Sequence, residues 1–323
     1  PSPRRLPLAA RGSRPRCRRG AACGRRSRGN HIITSTIEHP AVLKACEQLE
    51  QEGFRVTYVG VDREGVIRLD RLEEAIGDDT ILLTIKHANN EVGAIQPLET
   101  ISSQARKRDI LFPTDAVQTV ANIPGDVQRL GVDLLSLSSH KIHGPKGVGA
   151  LYVRQGVSIE PLMVGGSHER SRRAGTENVP GMVGLGMACQ LAGELQSDFL
   201  ERVRGLRDRL EEGILERIPD VAVNGTRENR MPHVTNLSFR SLEGESLLIS
   251  LDIQGVAVST GAACSSGSLA SSHVLKAMNL GAGRTQGAIS LSLSRMNTTE
   301  DIDYVLDVLP PTVERMREIA VRQ

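Results

Sequence analysis

Apolar and polar positions alternate in blocks through the middle of the chain. HIITST (31–36) is a short β-branched run and reads as a strand. AVLKACEQLEQEG follows, with Val42, Leu43, Cys46 and Leu49 at helical spacing and Gly53 as a stop. RVTYVGV (55–61) reads as a strand, LDRLEEAIG (69–77) as an amphipathic helix and TILLTIK (80–86) as a buried strand. PLETISSQARKRD (97–109) predicts a helix with Pro97 in its first turn, and ILF (110–112) a strand leading to Asp115. Leu134-Leu135-Ser136-Leu137 is a further buried strand. This rhythm predicts an α/β domain with a mostly parallel sheet and flanking helices. From Gly175 to about Ile218 the pattern is helical, and LERVRGLRDRLEEGILERI is strongly amphipathic. TNLSF (235–239), GESLLISLDIQG, VAVST, SSHVLKAM, AISLSLS and a last helix from Thr299 then mix strands and helices. The predicted division is a large domain over 31–199 and a smaller C-terminal α+β domain over 200–323.

In parallel sheets, ligands collect at the carboxyl ends of the strands. His39, Asn90, Asp115 and Lys141 each follow a predicted strand. Lys141 stands behind Ser138, Ser139 and His140, and the glycines and proline of HGPKGVG make a tight turn after it. A lysine in that place suits Schiff-base chemistry, because partial burial lowers the pKa of an amine that must lose its proton to attack an aldehyde. The neighbouring hydroxyls and imidazole suit a phosphate. Each residue alone also has a plainer reading: a solvated lysine, or a polar group capping a turn. Cys264 alone reads as a small buried hydrophobe, but Ser265, Ser266 and Gly267 beside it argue for a loop. Cys46 and Cys189 lie on apolar helix faces and read as core.

Net charge is +2 over 323 residues, yet residues 1–30 carry ten arginines and no acid. This segment has no apolar periodicity, so disorder is expected. It reads as a basic arm, a targeting peptide or, as favoured here, a non-native piece ahead of a truncated or frame-shifted chain that starts at Pro1 without Met. Five cysteines without a CxxC pair argue against a zinc site or a disulfide scaffold and for a reducing, cytoplasmic setting. Aromatic content of 2% weakens any stacking platform for nucleic acid. No apolar run is long enough to span a bilayer, so neither nucleic acid nor membrane is an expected partner.

The motifs TSTIEHPAV, HANNEVGAIQP, TDAVQ, SSHKIHGPKGVGALYV, GGSHERSRRAGTENV, FRSLEGESLL and STGAACSSGS stand in an order that resembles the cysteine desulfurases, pyridoxal-phosphate (PLP) enzymes of aminotransferase class V, from about residue 31 onward. The resemblance implies fold type I of the PLP-dependent transferases, PLP as cofactor and a homodimer. It implies that Lys141 forms the Schiff base and moves protons, that Asp115 pairs with the pyridine nitrogen and that Gln118 meets the phenolic oxygen. His39 would stack on the ring, and Asn90 would touch the same oxygen or the substrate. Ser138 and His140 would bind the phosphate, and Thr176 would reach the phosphate of the neighbouring subunit. Cys264 would be the nucleophile on a mobile loop, taking sulfur from L-cysteine as a persulfide and leaving alanine. The sulfur would pass to an acceptor such as an iron–sulfur scaffold or a thio-cofactor pathway.

The sequence departs from that pattern at three places. Nothing in residues 1–30 resembles the family, whose N-terminal portion carries a phosphate-cradling helix start. Pro113 stands where a histidine is usual, two positions before Asp115, although proline is tolerated mainly at strand edges. Ser290 stands where the family has its carboxylate-binding arginine. Arg295 is five positions on, an odd offset that faces the other side of a regular strand. The rival readings are a selenocysteine lyase and a catalytically impaired remnant acting by dimerisation or partner binding.

Overall fold

The computed structural model describes residues 8–10, 19–161, 163–261 and 272–321. They fall into two units. The first comprises Pro1–Gly60, Ile67–Ala88 and Gln96–Gln196; the second comprises Val61–Val66, Asn89–Ile95 and Ser197–Gln323. The long segment of the second unit begins at Ser197. Two short excursions belong to the second unit instead of the large domain, and one of them carries Asn90.

In the first unit, β1 (Leu8–Ala10), β2 (His31–Ser35), β3 (Arg55–Val59), β4 (Thr80–Thr84), β5 (Pro113–Asp115), β6 (Leu134–Ser138) and β7 (Val148–Val153) lie in the order β3-β2-β4 and β5-β6-β7-β1. The two sets meet through a parallel bridge between Leu82 and Leu111 and the bond from the His87 amide to the Asp115 carbonyl at 2.9 Å. β2, β3 and β4 run parallel, as do β5 and β6, while β7 is antiparallel to β6 and to β1. Successive residues of the interior strands point to opposite faces, and both faces are buried. Ile33, Leu83 and Leu135 pack with Leu72, Leu98, Ile101 and Leu185. Ile32, Leu82 and Leu134 pack with Ala21, Ala22, Leu49 and Phe54. Covering both faces is what a parallel sheet requires.

The strand expected at ILF (110–112) is displaced to 113–115. Pro113 is its first residue, a position where a missing N–H is tolerated in a strand. Strand β7 was hidden from the apolar pattern because it lies in the glycine-rich VGALYV stretch.

The expected disorder of residues 1–30 does not hold for Leu8–Ala10, which pair with β7, nor for 19–30. Residues 19–23 are helical, and Ala21 and Ala22 are fully buried. The Gly20 carbonyl accepts from the Glu160 amide at 3.1 Å. Arginines that looked like a uniform basic run find separate partners. Arg19 pairs with Glu52 at 3.0 Å, Arg25 donates to the Asp109 carbonyl at 2.5 Å, and Arg28 pairs with Asp109. Arg26 donates to the Glu52 carbonyl at 2.9 Å and lies over the Phe54 ring. Charge alone predicts disorder only when no acidic surface is within reach. Here the sheet's own loops supply that surface.

The second unit is built on an antiparallel sheet, β8 (Val221–Val223), β9 (Val234–Phe239) and β10 (Ala288–Ser292), in the order β10-β9-β8. Leu237, Phe239, Ile289 and Leu291 pack with Leu210, Leu247, Leu306 and Leu309 of the helices over Arg204–Arg217, Gly244–Asp252 and Thr299–Val321. VAVST contributes only a bridge, Ser259 to Ser290. Beneath the sheet, Glu211 takes two bonds from Arg230, at 2.7 and 2.9 Å, and one from Thr235 at 2.5 Å. Burial pushes the Glu211 carboxyl up, but these bonds outweigh it and hold its pKa below the ordinary value. Among the described residues, no helix is long and apolar enough to cross a membrane.

Candidate active site

His39, Asp115 and Lys141 stand at or just past the ends of β2, β5 and β6 in the first unit. Four residues past β2, His39 caps the helix Pro40–Gln51, its Nδ1 accepting from the Ala41 amide at 3.1 Å. That bond places the proton of a neutral ring on Nε2. Glu38, fully buried beside it, accepts from Ser35 Oγ at 2.8 Å and from the Lys86 amide at 2.7 Å. The loop after β2 is thereby tied to the end of β4, a link the sequence reading missed.

Asp115 closes β5 and is buried, and its Oδ1 accepts from the Val117 amide at 3.0 Å. Gln118 is half-buried in the turn that follows. His87 is buried, and its Nδ1 has no partner. Burial pushes the His87 pKa down to about 4, so the ring is neutral near pH 7.

Strand β6 delivers Ser138, whose Oγ lies 2.8 Å from His140 Nδ1. A single 3₁₀ turn, Ser139–Ile142, then presents Lys141 to solvent and closes on His143 at φ +64°. The Ser139 hydroxyl is buried without a partner. Thr176 is exposed after Gly175.

The expected substrate residues belong to the second unit. Asn90 is half-buried in a turn that Asn89 closes by accepting from the Glu91 and Val92 amides at 2.8 and 3.1 Å. Ser290 is 6% exposed in β10. Its hydroxyl donates to the Glu91 carbonyl at 2.8 Å and its oxygen accepts from Asn236 Nδ2 at 2.7 Å. Arg295 lies past the end of β10, so a turn sets its facing and the strand pleat does not apply. Its carbonyl accepts from Arg202 Nη2 at 2.6 Å. Cys264 lies outside the described residues. Cys46 is buried as expected, but Cys189 is exposed, because among the described residues none covers its side of the helix Val179–Glu194.

The aminotransferase class-V family profile matches residues 21–305. The chain is 51% identical to the cysteine desulfurase IscS of Dictyoglomus turgidum over 302 residues, covering 94% of this chain and 77% of that protein. Identity to the IscS of Methanosarcina thermophila is 50%, over 94% and 74% of the two chains. A solved NifS-like protein superposes with a TM-score of 0.86 at 37% identity, covering 98% of this chain and 82% of the other. A solved SspA in complex with cysteine gives 0.76 at 35% identity, over 88% and 80%. The chain belongs to the cysteine desulfurases. The family match starts ten residues before His31, in the arginine-rich segment that the sequence reading set outside it. The buried helix over 19–23 gives the physical reason.

This desulfurase carries a donor set that fits PLP. A buried carboxylate at a strand end suits a pyridinium nitrogen. Two hydroxyls and an imidazole on one tight turn suit a phosphate, and one of those hydroxyls, on Ser139, is buried and unpartnered. An exposed lysine two residues on suits the aldehyde.

Proposed function

We propose that the chain removes sulfur from L-cysteine with PLP as cofactor, leaving L-alanine and a persulfide on Cys264. The observation that supports this best is the Ser138–Lys141 turn. In a desulfurase chain, it places an exposed amine beside phosphate-type donors on the edge where Asp115 ends its strand.

Lys141 would hold the cofactor covalently, Asp115 would keep the ring nitrogen protonated, Gln118 would meet the phenolic oxygen, and Asn90 would meet that oxygen or the substrate. Ser138 and His140 would bind the phosphate, with Thr176 serving the partner subunit. When bound, PLP supplies an electron sink for charge at the substrate Cα. Once displaced by the substrate amine, Lys141 is the base for the Cα proton. His39, its Nδ1 engaged by the Ala41 amide, would stack its ring on the cofactor. The Cys264 thiolate attacks the substrate sulfur. The carbon–sulfur bond breaks, a sulfur–sulfur bond forms, and the electron pair stays on the carbon that is protonated to the methyl of alanine. Cysteine plus enzyme thiol therefore balances alanine plus enzyme persulfide, with no outside oxidant.

A homodimer agrees with the helix Val179–Glu194. It exposes Val179, Val183, Met187 and Leu191 at four-residue spacing, with Val183 68% exposed. A stripe of this kind calls for cover, and Thr176 lies just ahead of it. An iron–sulfur scaffold is the kind of acceptor that would take the persulfide sulfur.

Supplying PLP and cysteine to the purified chain tests the reading. A sulfur adduct on Cys264 is expected, and it should vanish in Cys264→Ser while the absorbance of bound PLP persists. Full sulfur release by that variant would overturn the role. Release of selenium alone from selenocysteine would favour the lyase. The impaired reading is favoured by one observation: the Ser290 hydroxyl is already engaged by Glu91 and Asn236.

A further inference from the structure

Lys86 is a buried cation that the roles above leave unused. It stands two residues past β4, at the end of TILLTIK, where a lysine ordinarily carries its ammonium out to water. Here it is 2% exposed. A buried charge costs stability unless polar groups compensate it, so what the side chain reaches is informative.

Strand β5 holds the backbone on both sides of Lys86. The Ile85 carbonyl accepts from Thr114 Oγ1 at 2.7 Å, and the His87 amide donates to the Asp115 carbonyl at 2.9 Å. Lys86 itself grips the loop after β2 at two points. Its amide donates to Glu38 Oε1 at 2.7 Å, and its Nζ donates to the Ile37 carbonyl at 3.3 Å. Glu38 is fully buried, and the same Oε1 accepts from Ser35 Oγ at 2.8 Å. Ile37 and Glu38 are the two residues before His39. The chain then enters its helix at once, with Pro40 in the first turn and His39 Nδ1 accepting from the Ala41 amide at 3.1 Å. The His39 backbone is thus fixed by Lys86 on one side and by the helix on the other.

We infer that Lys86 is a positioning residue for His39: through Ile37 and Glu38 it ties the imidazole-bearing loop to the strand end that carries Asp115. The amide bond to Glu38 is open to any residue but proline at position 86. The bond to the Ile37 carbonyl needs the long cationic side chain. Lys86 acts through the loop and not on the reacting atoms. Its consequence for the cofactor rests on His39 stacking on the PLP ring, as proposed above.

The test uses the full chain, first without cofactor. Hydrogen exchange followed by NMR compares two amides. Ala41 reports the bond to His39 Nδ1, and Leu83, which donates to the Leu111 carbonyl at 2.9 Å, reports the sheet. In Lys86→Met, an unbranched side chain fills the space without the ammonium. Ala41 is expected to exchange about tenfold faster, the factor that a bond from a charged donor is worth, while Leu83 stays unchanged. PLP is then titrated onto the wild-type chain, Lys86→Met, His39→Ala and the double variant. Lys86→Met should weaken PLP binding several-fold, and it should add nothing in the His39→Ala background, because its effect passes through that ring. Unchanged Ala41 exchange overturns the inference. So does equal acceleration of Ala41 and Leu83, which is general loss of stability. Where Lys86→Met does not fold, Lys86→Gln, whose side chain ends one bond short of the Ile37 carbonyl, is read in the same way. Full PLP affinity in Lys86→Met where His39→Ala has lost it also overturns the inference, as does an equal loss in both His39 backgrounds. Faster Ala41 exchange alone, with PLP binding indifferent to His39→Ala, would sustain the clamp and overturn the stacking role of His39 instead.

Discussion

The Ser290 hydroxyl gives its proton to the Glu91 carbonyl and takes one from the Asn236 side chain, at 2.8 and 2.7 Å. Its single donor is committed, so it is not available to a substrate carboxylate. Ser290→Ala should therefore leave KM for cysteine unchanged and lower stability by about 1 kcal/mol, the net worth of an ordinary hydrogen bond. Ser290→Arg should raise kcat/KM for cysteine by about one to several orders of magnitude, because a guanidinium grips a carboxylate with two charge-assisted bonds. Steady-state kinetics at equal PLP occupancy checks both. No gain from the arginine would mean that another residue, such as Arg295, holds the carboxylate.

Lys141 is the exposed amine of the 3₁₀ turn, and Lys146 is exposed in the following loop. Borohydride reduction of the PLP-loaded chain should fix the cofactor on Lys141. Peptide mapping that places the label on Lys146 would refute the assignment.

The arginine-rich segment should be part of the fold. Deleting residues 1–29 removes strand β1, the buried Ala21 and Ala22, the Gly20–Glu160 bond and the pairs to Glu52 and Asp109. The summed loss is roughly 2–4 kcal/mol, most of it from burial and the backbone bond, since exposed ion pairs contribute little. A thermal melt of the deleted chain that matches the full chain would contradict this.

His87 gives stability a pH slope. Its pKa in the fold is about 4, against an ordinary value of 6.5. Between those values the unfolded chain binds more protons than the folded one, so this contribution is full above pH 6.5 and is lost as pH falls towards 4. The span corresponds to roughly 3 kcal/mol. Denaturant titrations across this range should show a shallower slope for His87→Leu than for the wild-type chain.

The apolar stripe on the helix Val179–Glu194 should be covered by a second copy. Val183→Glu should shift the species measured by light scattering from dimer to monomer. A dimer that survives a charge at a 68% exposed centre of the stripe would place the interface elsewhere.

The apolar pattern by itself determined the parallel strands β2, β4 and β6 and their helices, because a sheet buried on both faces leaves unbroken β-branched and leucine runs. It also placed His39, Asp115 and Lys141 at strand ends, since in such a sheet the ends that follow those runs share one edge. Tertiary structure alone decided the rest. Whether a run of arginines is a free arm or a packed helix depends on acidic partners such as Glu52 and Asp109, which are distant in sequence. Whether Ser290 offers its hydroxyl to a ligand depends on Glu91 and Asn236, on two other elements. The lysine of TILLTIK looks like any charged strand end until the fold brings the Ile37 carbonyl to it. Periodicity records which face of an element is buried. It carries no record of which distant polar atom a buried polar atom will meet.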